Sequence, residues 1–320
     1  MFPESCVFGK KYCFACIQFF VLIHTYKIIA MNLRFYFGVL LITAICFACK
    51  QEADDTAVSS DGVQISFNQQ GKGKPAIVFV HGWTNPKSIW DEQMAHFSKK
   101  YKVVAIDLAG SGKSGNNRSN WTMKAFGDDV ASVVDKLKLN EVVLVGFSMG
   151  TAVVVEAANR LRDRIAGVVL VDDLKDPDLK YPPEILYAYD SILMDLVTNM
   201  TNEKLVNLGF YKNNQDSTFK RISALYAGAS QVGWKESLQG YFNWLNEDIT
   251  TSLKQLKVPV TAIYSNLEPI NMDASRKYIP GFQAKIMTNV GHMVFWDNPK
   301  EFNRLLEDTI QEFVNNDNRK

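Results

Sequence analysis

Short apolar runs alternate with amphipathic stretches from about residue 62 to the end of the chain. Several runs are apolar at nearly every position, which is typical of strands buried on both faces of a parallel sheet. The segments between them carry apolar residues at helical spacing, which predicts helices that cover such a sheet. The pattern therefore predicts an α/β fold with a mostly parallel sheet flanked by helices. The predicted strands are residues 76–80, 102–106, 141–145, 166–171, 258–264 and 284–287, and the predicted helices are residues 88–99, 123–137, 149–161 and 299–314.

This alternation is interrupted once, between the strand that ends near residue 171 and the strand that begins near residue 258. Residues 173–257 show no strand pattern, but apolar residues recur at helical spacing between residues 185 and 197. An insertion between two such strands lies where their carboxyl ends open to ligands. We predict a core at residues 62–172 and 258–320 with a helical lid at residues 173–257. A helical subdomain that serves only packing is the alternative.

The N-terminal segment differs in kind from the rest of the chain. An apolar run at residues 35–48 follows Arg34, and a small residue stands directly before Cys49. This arrangement resembles a bacterial lipoprotein signal, although Cys46 stands where such signals usually have Leu. The resemblance implies a lipid on Cys49, a membrane as its partner, and a polar linker at residues 50–61.

Two features of the same segment bear on its processing and its destination. Met31 is a natural start, so residues 1–30 are interpreted as an upstream extension of the reading frame. Lys50 follows Cys49, where lipoproteins retained at the inner membrane commonly have Asp, so the resemblance favours a lipid-anchored protein of the outer membrane. An uncleaved membrane anchor and ordinary secretion remain alternatives.

Composition narrows the kinds of partner. The 320-residue chain is 47% hydrophobic with a formal net charge of +1, which indicates a large core and no nucleic-acid partner. All five cysteines lie before residue 50, so the body has no thiol nucleophile and no cysteine metal site. We expect no cofactor and no metal.

One stretch of the sequence partly matches the pattern of a nucleotide-binding loop but departs from it. The stretch IDLAGSGKSG contains Gly112-Lys113-Ser114, but Asp107 stands where a P-loop needs its first glycine. The residues after Gly115 favour a turn, whereas a P-loop runs straight into a helix. The stretch therefore does not predict phosphate binding.

The strongest chemical signal is GFSMG at residues 146–150, between a predicted strand and a predicted helix. The pattern G-x-S-x-G in that context is a nucleophile elbow, in which glycines allow a strained turn and the serine hydroxyl stands clear of the sheet. Ser148 is therefore the predicted nucleophile.

Residues 62–315 resemble the α/β-hydrolase superfamily through this elbow and through His81-Gly82-Trp83 after the strand at residues 76–80. The resemblance implies that the backbone amides of Trp83 and Met149 form an oxyanion hole. It also implies that the loop beginning at Asp107 is structural. Serine at the elbow indicates acyl chemistry, because relatives that cleave carbon–halogen bonds or epoxides attack with Asp.

His292 is the predicted general base and acid. Of the histidines in the body, His81 belongs to the implied oxyanion loop and His96 lies on a predicted helix with charged neighbours. His292 follows the last predicted strand, where the family carries its catalytic histidine, and the order Ser, acid, His is the one expected.

The acid has two candidates. The family usually places Asp in the loop after the strand at residues 258–264, and Glu268 stands at the matching place. Asp172, at the end of the preceding strand, is the alternative, because some members carry the acid there. The sequence analysis favours Glu268.

These features predict a serine hydrolase that cleaves a carboxylic ester or a related acyl substrate through an acyl-enzyme. The lid aromatics, with Trp83, Trp90 and Trp121, favour a substrate with an apolar or aromatic group. An acyltransferase or haloperoxidase-like relative is one alternative. The other is a membrane-tethered binding protein on a degenerate fold, motivated by the missing Asp.

Overall fold

The computed structural model describes residues 55–212, 215–226 and 231–317. Within these ranges the chain forms an eight-stranded sheet. The strands in chain order are β1 Asp55–Val58, β2 Gln64–Gln70, β3 Ala76–Val80, β4 Lys102–Ile106, β5 Val142–Phe147, β6 Ile165–Val171, β7 Val260–Ser265 and β8 Gln283–Met287. Their order across the sheet is β1-β2-β4-β3-β5-β6-β7-β8.

Helices connect and cover these strands. In chain order they are α1 Asp91–Phe97, α2 Met123–Lys136, α3 Met149–Leu161, α4 Pro183–Thr198, α5 Asn202–Asn207, α6 Gln215–Tyr226, α7 Trp234–Asn243, α8 Ile249–Gln255, α9 Met272–Tyr278, α10 Val294–Asp297 and α11 Pro299–Asp317, with 3-10 turns at Lys87–Trp90 and Arg162–Arg164 and a π-helical turn at Trp244–Asp248.

The mostly parallel sheet is confirmed, and it aligns the carboxyl ends of its central strands. Strand β5 lies between β3 and β6, with Val80 opposite Gly146 and Phe147 opposite Val171. Loops that follow these three strands therefore meet at one edge of the sheet. That edge receives the residues after Val80, Phe147 and Val171.

The strands of this sheet separate two apolar layers. Alternate residues of a strand point to opposite faces, so Val78 packs with α2 and α3, whereas Ile77 and Phe79 pack with α1, α10 and α11. Burial on both faces explains why these strands are continuous apolar runs in the sequence.

The structure differs from the sequence prediction at the first two strands. Strand β1 lies inside the stretch treated as a polar linker, and β2 was not predicted. Both are antiparallel, and β1 is an edge strand in which only Ala57 is buried. A short edge strand needs few apolar residues, so its sequence reads as polar.

The described part of residues 173–257 is helical, and α4 to α8 are referred to below as the lid helices. Trp121 of the core packs against α7 at positions where only glycine fits. A Cβ atom on Gly233 would lie 2.1 Å from the Trp121 ring, and one on Gly240 would lie 2.1 Å from the Trp121 carbonyl oxygen. Helix α4 leaves the apolar side chains Ile185 and Ile192 exposed. None of the helices in the described ranges has the length and apolar character needed to cross a membrane.

The loop after β4 holds a buried carboxylate that organises its own backbone. Asp107 accepts hydrogen bonds from the Lys87 and Lys113 amides at 2.6 and 2.9 Å, and it pairs with the Lys87 ammonium at 2.6 Å. A Cβ on Gly112 would lie 2.3 Å from this carboxylate, so the glycine lets the loop fold over it. The Lys113 amide, which a P-loop would direct at phosphate, therefore binds a carboxylate of the protein itself.

Asp107→Asn is expected to lower the free energy of unfolding by about 3 kcal/mol, because it leaves the Lys87 charge buried without its counter-ion. Urea denaturation of the purified protein measures the change. Glu141→Gln is the matched control, since it breaks an ion pair with Lys74 in which both side chains are at least half exposed. Its cost should stay below about 1 kcal/mol. Equal losses in the two variants would contradict a structural role for Asp107.

Candidate active site

Ser148 occupies a strained turn between β5 and α3. Its φ and ψ angles are 52° and −127°, a conformation that non-glycine residues adopt only where the surroundings enforce it. The Ser148 amide donates to the Val171 carbonyl oxygen at 3.0 Å, which fixes the turn to the neighbouring strand. A Cβ on Gly146 would lie 2.2 Å from the Gly150 carbonyl oxygen, and one on Gly150 would lie 2.5 Å from that of His81. The two flanking glycines are thus steric requirements.

His292 lies in the loop between β8 and α10, beside the end of β5. Its amide donates to the Gly209 carbonyl oxygen at 2.8 Å, and its ring packs 4.7 Å from the Phe147 ring and 5.8 Å from the Phe210 ring. The ring is one quarter exposed. These contacts hold the imidazole against Phe147, the residue that precedes Ser148 in the chain.

The Nδ1 atom of His292 lies 2.9 Å from Oδ2 of Asp172. Asp172 follows β6 directly, and its other oxygen accepts a hydrogen bond of 2.6 Å from the Ser265 amide. Burial would raise the pKa of Asp172, but hydrogen bonds from His292 and Ser265 and the charges of His292 and Lys175 hold it below its usual value. An ionised carboxylate only accepts hydrogen bonds, so Nδ1 carries the proton and Nε2 is the atom left to accept another.

The expected pairing of Glu268 with His292 is not the one in the structure. The Glu268 side chain is 73% exposed, and its carboxylate lies 3.5 Å from the Lys175 ammonium. The sheet order explains the difference, because β6 is the direct neighbour of β5 whereas β7 lies one strand farther away. Of the two carboxylates considered in the sequence, Asp172 is therefore the one that meets the histidine.

The loop after β3 runs against the elbow. A Cβ on Gly82 would lie 3.0 Å from the Ser148 Cβ, so this glycine permits the close approach. The Leu108 amide donates to Nε2 of His81, which leaves Nδ1 to donate to the Gly82 carbonyl oxygen at 2.7 Å. Burial lowers the pKa of His81, so the ring is neutral and its tautomer is fixed. Both ring nitrogens of His81 therefore make hydrogen bonds that shape this loop.

Trp83 and Met149 lie at the two positions implied for an oxyanion hole. Met149 is the first residue of α3, and the first amides of a helix have no partner within the helix. Trp83 follows Gly82, and its indole Nε1 donates to the Trp234 carbonyl oxygen of α7 at 2.8 Å. The loop after β3 is thereby fastened to a lid helix.

Two other residues considered in the sequence have no part in the candidate site. Trp90 is fully buried and stacks on Phe295 at 4.4 Å, so it is a core residue and not part of a substrate pocket. His96 is exposed on α1. The candidate lipidation residue Cys49 and the rest of the N-terminal signal lie outside the described residues.

Lys175 is a part of the site that the sequence analysis did not identify. Its ammonium lies 3.0 Å from Oδ1 of Asp172, and its side chain is only 7% exposed. The signal in the sequence was its position three residues after Asp172, in the run VDDLKD, but such spacing is common on protein surfaces. Only burial distinguishes this lysine from solvated ones.

Comparison with known proteins identifies the family of this chain. Residues 75–299 match the profile of the family described as the alpha/beta hydrolase fold. A pimeloyl-(acyl-carrier protein) methyl ester esterase of Wigglesworthia glossinidia brevipalpis is 25% identical over 260 residues, which cover 76% of this chain and 96% of the relative. A bifunctional esterase/perhydrolase of Acinetobacter calcoaceticus is 29% identical over 222 residues, which cover 64% of this chain and 79% of the relative.

Solved structures show the same fold. An esterase from Thermogutta terrifontis superposes with a TM-score of 0.69 at 21% identity, over 82% of this chain and 99% of that one. An esterase from Exiguobacterium antarcticum superposes with a TM-score of 0.70 at 19% identity, over 81% of this chain and 100% of that one.

Proposed function

Because the chain belongs to the α/β-hydrolase family, we propose that it is a serine hydrolase that cleaves a carboxylic ester through Ser148, His292 and Asp172. The observation that carries the proposal is the hydrogen bond between His292 and Asp172, since Asp172 directly follows Val171, whose carbonyl oxygen accepts the Ser148 amide of the nucleophile elbow. The test is covalent labelling of Ser148 by a fluorophosphonate, which requires an activated serine.

The proposed reaction begins with attack of the Ser148 oxygen on the ester carbonyl. Nε2 of His292 takes the hydroxyl proton, and Asp172 stabilises the imidazolium that results. The alcohol leaves with the proton from His292, and an acyl-enzyme remains. Water, deprotonated by His292, then releases the acid and restores the serine.

Charge develops on the carbonyl oxygen during both steps. The amides of Trp83 and Met149 are the proposed donors to this oxygen, because they belong to the two segments that border Ser148. One such donor is typically worth about 3 kcal/mol of transition-state stabilisation. The hydrogen bond from the Trp83 indole to α7 supports a fixed position for the Trp83 amide.

An acyl group of apolar or aromatic character is the proposed substrate feature. The Trp83 and Trp234 rings meet edge to face at 6.2 Å, next to the loop that carries one of the proposed oxyanion donors. Aromatic side chains near a reacting centre favour an apolar or aromatic acyl group. Relatives named as esterases support ester cleavage, and relatives named as non-heme haloperoxidases support the haloperoxidase-like alternative. The bond between His292 and Asp172 supports an enzyme over the binding-protein alternative.

We further propose that the protein is lipidated on Cys49 and tethered to the bacterial outer membrane, on the strength of the signal-like segment alone. Cells that express the full chain should incorporate labelled palmitate into it and retain it in the membrane fraction. Cys49→Ser should lose both properties, whereas Cys46→Ser, the matched control, should keep them. Release of the wild-type protein into the soluble fraction would contradict the anchor.

A further inference from the structure

A buried lysine contacts the carboxylate of the proposed triad. Lys175 lies in the loop after β6, and its Nζ lies 3.0 Å from Oδ1 of Asp172 and 3.2 Å from the Ser265 hydroxyl. Lysine is rarely so buried unless it is paired, because the ammonium loses its hydration. Its position is fixed, since the Lys175 carbonyl oxygen accepts a hydrogen bond of 2.8 Å from the Asn271 amide.

The two oxygens of Asp172 have different partners. Oδ2 faces Nδ1 of His292, whereas Oδ1 receives both the Ser265 amide and the Lys175 ammonium. The lysine therefore does not compete with the histidine for an oxygen. Its charge acts on the histidine across the carboxylate that they share.

We propose that Lys175 is a positioning residue that sets the pH range of the proposed triad by neutralising part of the charge of Asp172. The inference rests on the proposed function of Ser148 and His292. A bare buried carboxylate would stabilise the imidazolium strongly and keep the ring protonated to higher pH. With Lys175 beside it, that stabilisation is smaller, so the ring loses its proton, and the serine gains its base, at lower pH.

The other groups around the histidine modify this effect without reversing it. Glu268 lies 3.5 Å from Lys175 and opposes its charge, but it is 73% exposed and water screens it. Asp173 is the second carboxyl in the loop, and burial raises its pKa, which favours its neutral form. The Phe147 and Phe210 rings, which pack on His292, carry no charge.

Lys175→Met tests the inference, because it keeps the length of the side chain and removes the charge. The rate of fluorophosphonate labelling is measured from about pH 5 to about pH 9, the range in which histidine bases titrate. We expect the midpoint of the acid limb to rise by about one pH unit, as a nearby charge in a protein site produces. The plateau rate should fall by less than about tenfold, since Asp172 and His292 remain.

Two lysine variants separate charge from structure. Lys175→Arg keeps the charge, so its midpoint should stay within about 0.3 pH units of the wild type. Lys277→Met makes the same substitution at a lysine that is 58% exposed on α9, and it should leave both the midpoint and the plateau unchanged. If Lys175 had only a structural role, Lys175→Met would yield less active protein but would have the same midpoint as the wild type. That result would overturn the inference.

Two further measurements keep the inference testable if Lys175→Met does not fold or if the wild type does not label. Glu268→Gln removes the opposing charge, so it should move the midpoint to lower pH by a few tenths of a unit, and a move to higher pH would overturn the inference. A proton NMR titration of the His292 ring, assigned with His292→Gln, measures the effect of the Lys175 charge on the ring and requires no catalytic turnover. Absence of wild-type labelling would refute the proposed function, whereas an NMR midpoint that is equal in the wild type and Lys175→Met would refute the inference.

Discussion

Ser148→Ala is expected to abolish fluorophosphonate labelling and to lower ester hydrolysis by about a million-fold, the loss typical when the nucleophile of a serine hydrolase is removed. The physical reason is that Ser148 supplies the hydroxyl at the elbow between β5 and α3, where the chain adopts a φ of 52° against Gly82. Labelling followed by peptide mass spectrometry, together with the turnover of a chromogenic ester, measures both effects.

The control for this variant is a serine with no place in the site. Ser60 is exposed in the turn before β2, so Ser60→Ala should label at the wild-type rate. The thermal midpoint of Ser148→Ala should stay close to that of the wild type, because alanine keeps the backbone of the elbow. Labelling that persists in Ser148→Ala would show that another residue is the nucleophile.

Asp172→Asn is expected to lower kcat by about 10,000-fold, and the hydrogen bonds of the site give the reason. The Ser265 amide and the Lys175 ammonium both donate to Oδ1, so the amide oxygen of the new asparagine must take that place. Its NH₂ group must then face Nδ1 of His292. A ring that accepts at Nδ1 carries its proton on Nε2, where it cannot take the proton of Ser148.

Glu268→Gln is the matched control, because it makes the same acid-to-amide change at the other candidate carboxylate. Its kcat at the plateau should stay within about twofold of the wild type, since Glu268 reaches only the Lys175 ammonium and is mostly exposed. The two variants together decide the identity of the acid. A large loss in Glu268→Gln with a small loss in Asp172→Asn would reverse the assignment.

The sequence predicted best those elements whose apolar pattern matches their burial in the folded protein. The strands at residues 76–80 and 102–106 and the helix at residues 149–161 were predicted with the bounds that the structure has. Each is buried so completely that nearly every residue is apolar or follows the helical period. Strands β1 and β2 were not predicted, because β1 is a short edge strand and because the polar second half of β2 is exposed or only half-buried.

The sequence likewise identified some residues of the candidate site and not others. Ser148 and the residues around it could be identified from the sequence because the elbow imposes a local steric pattern, with glycine needed at 146 and 150. His292 could be placed because it follows the last strand. The sequence favoured Glu268 as the acid, whereas the structure pairs Asp172 with His292. Both residues follow strands and both carry a carboxylate, so local sequence did not separate them.

The sequence by itself determined the α/β architecture, the elbow serine and the histidine, because each depends on the spacing of residues along one segment. The tertiary structure alone decided that Asp172 meets His292 and that Lys175 is buried against it. The contact between Asp172 and His292 joins the loop after β6 to the loop after β8, and its two residues are 120 residues apart in the chain. Strand order and burial bring such groups together, and neither is encoded in the local spacing of residues.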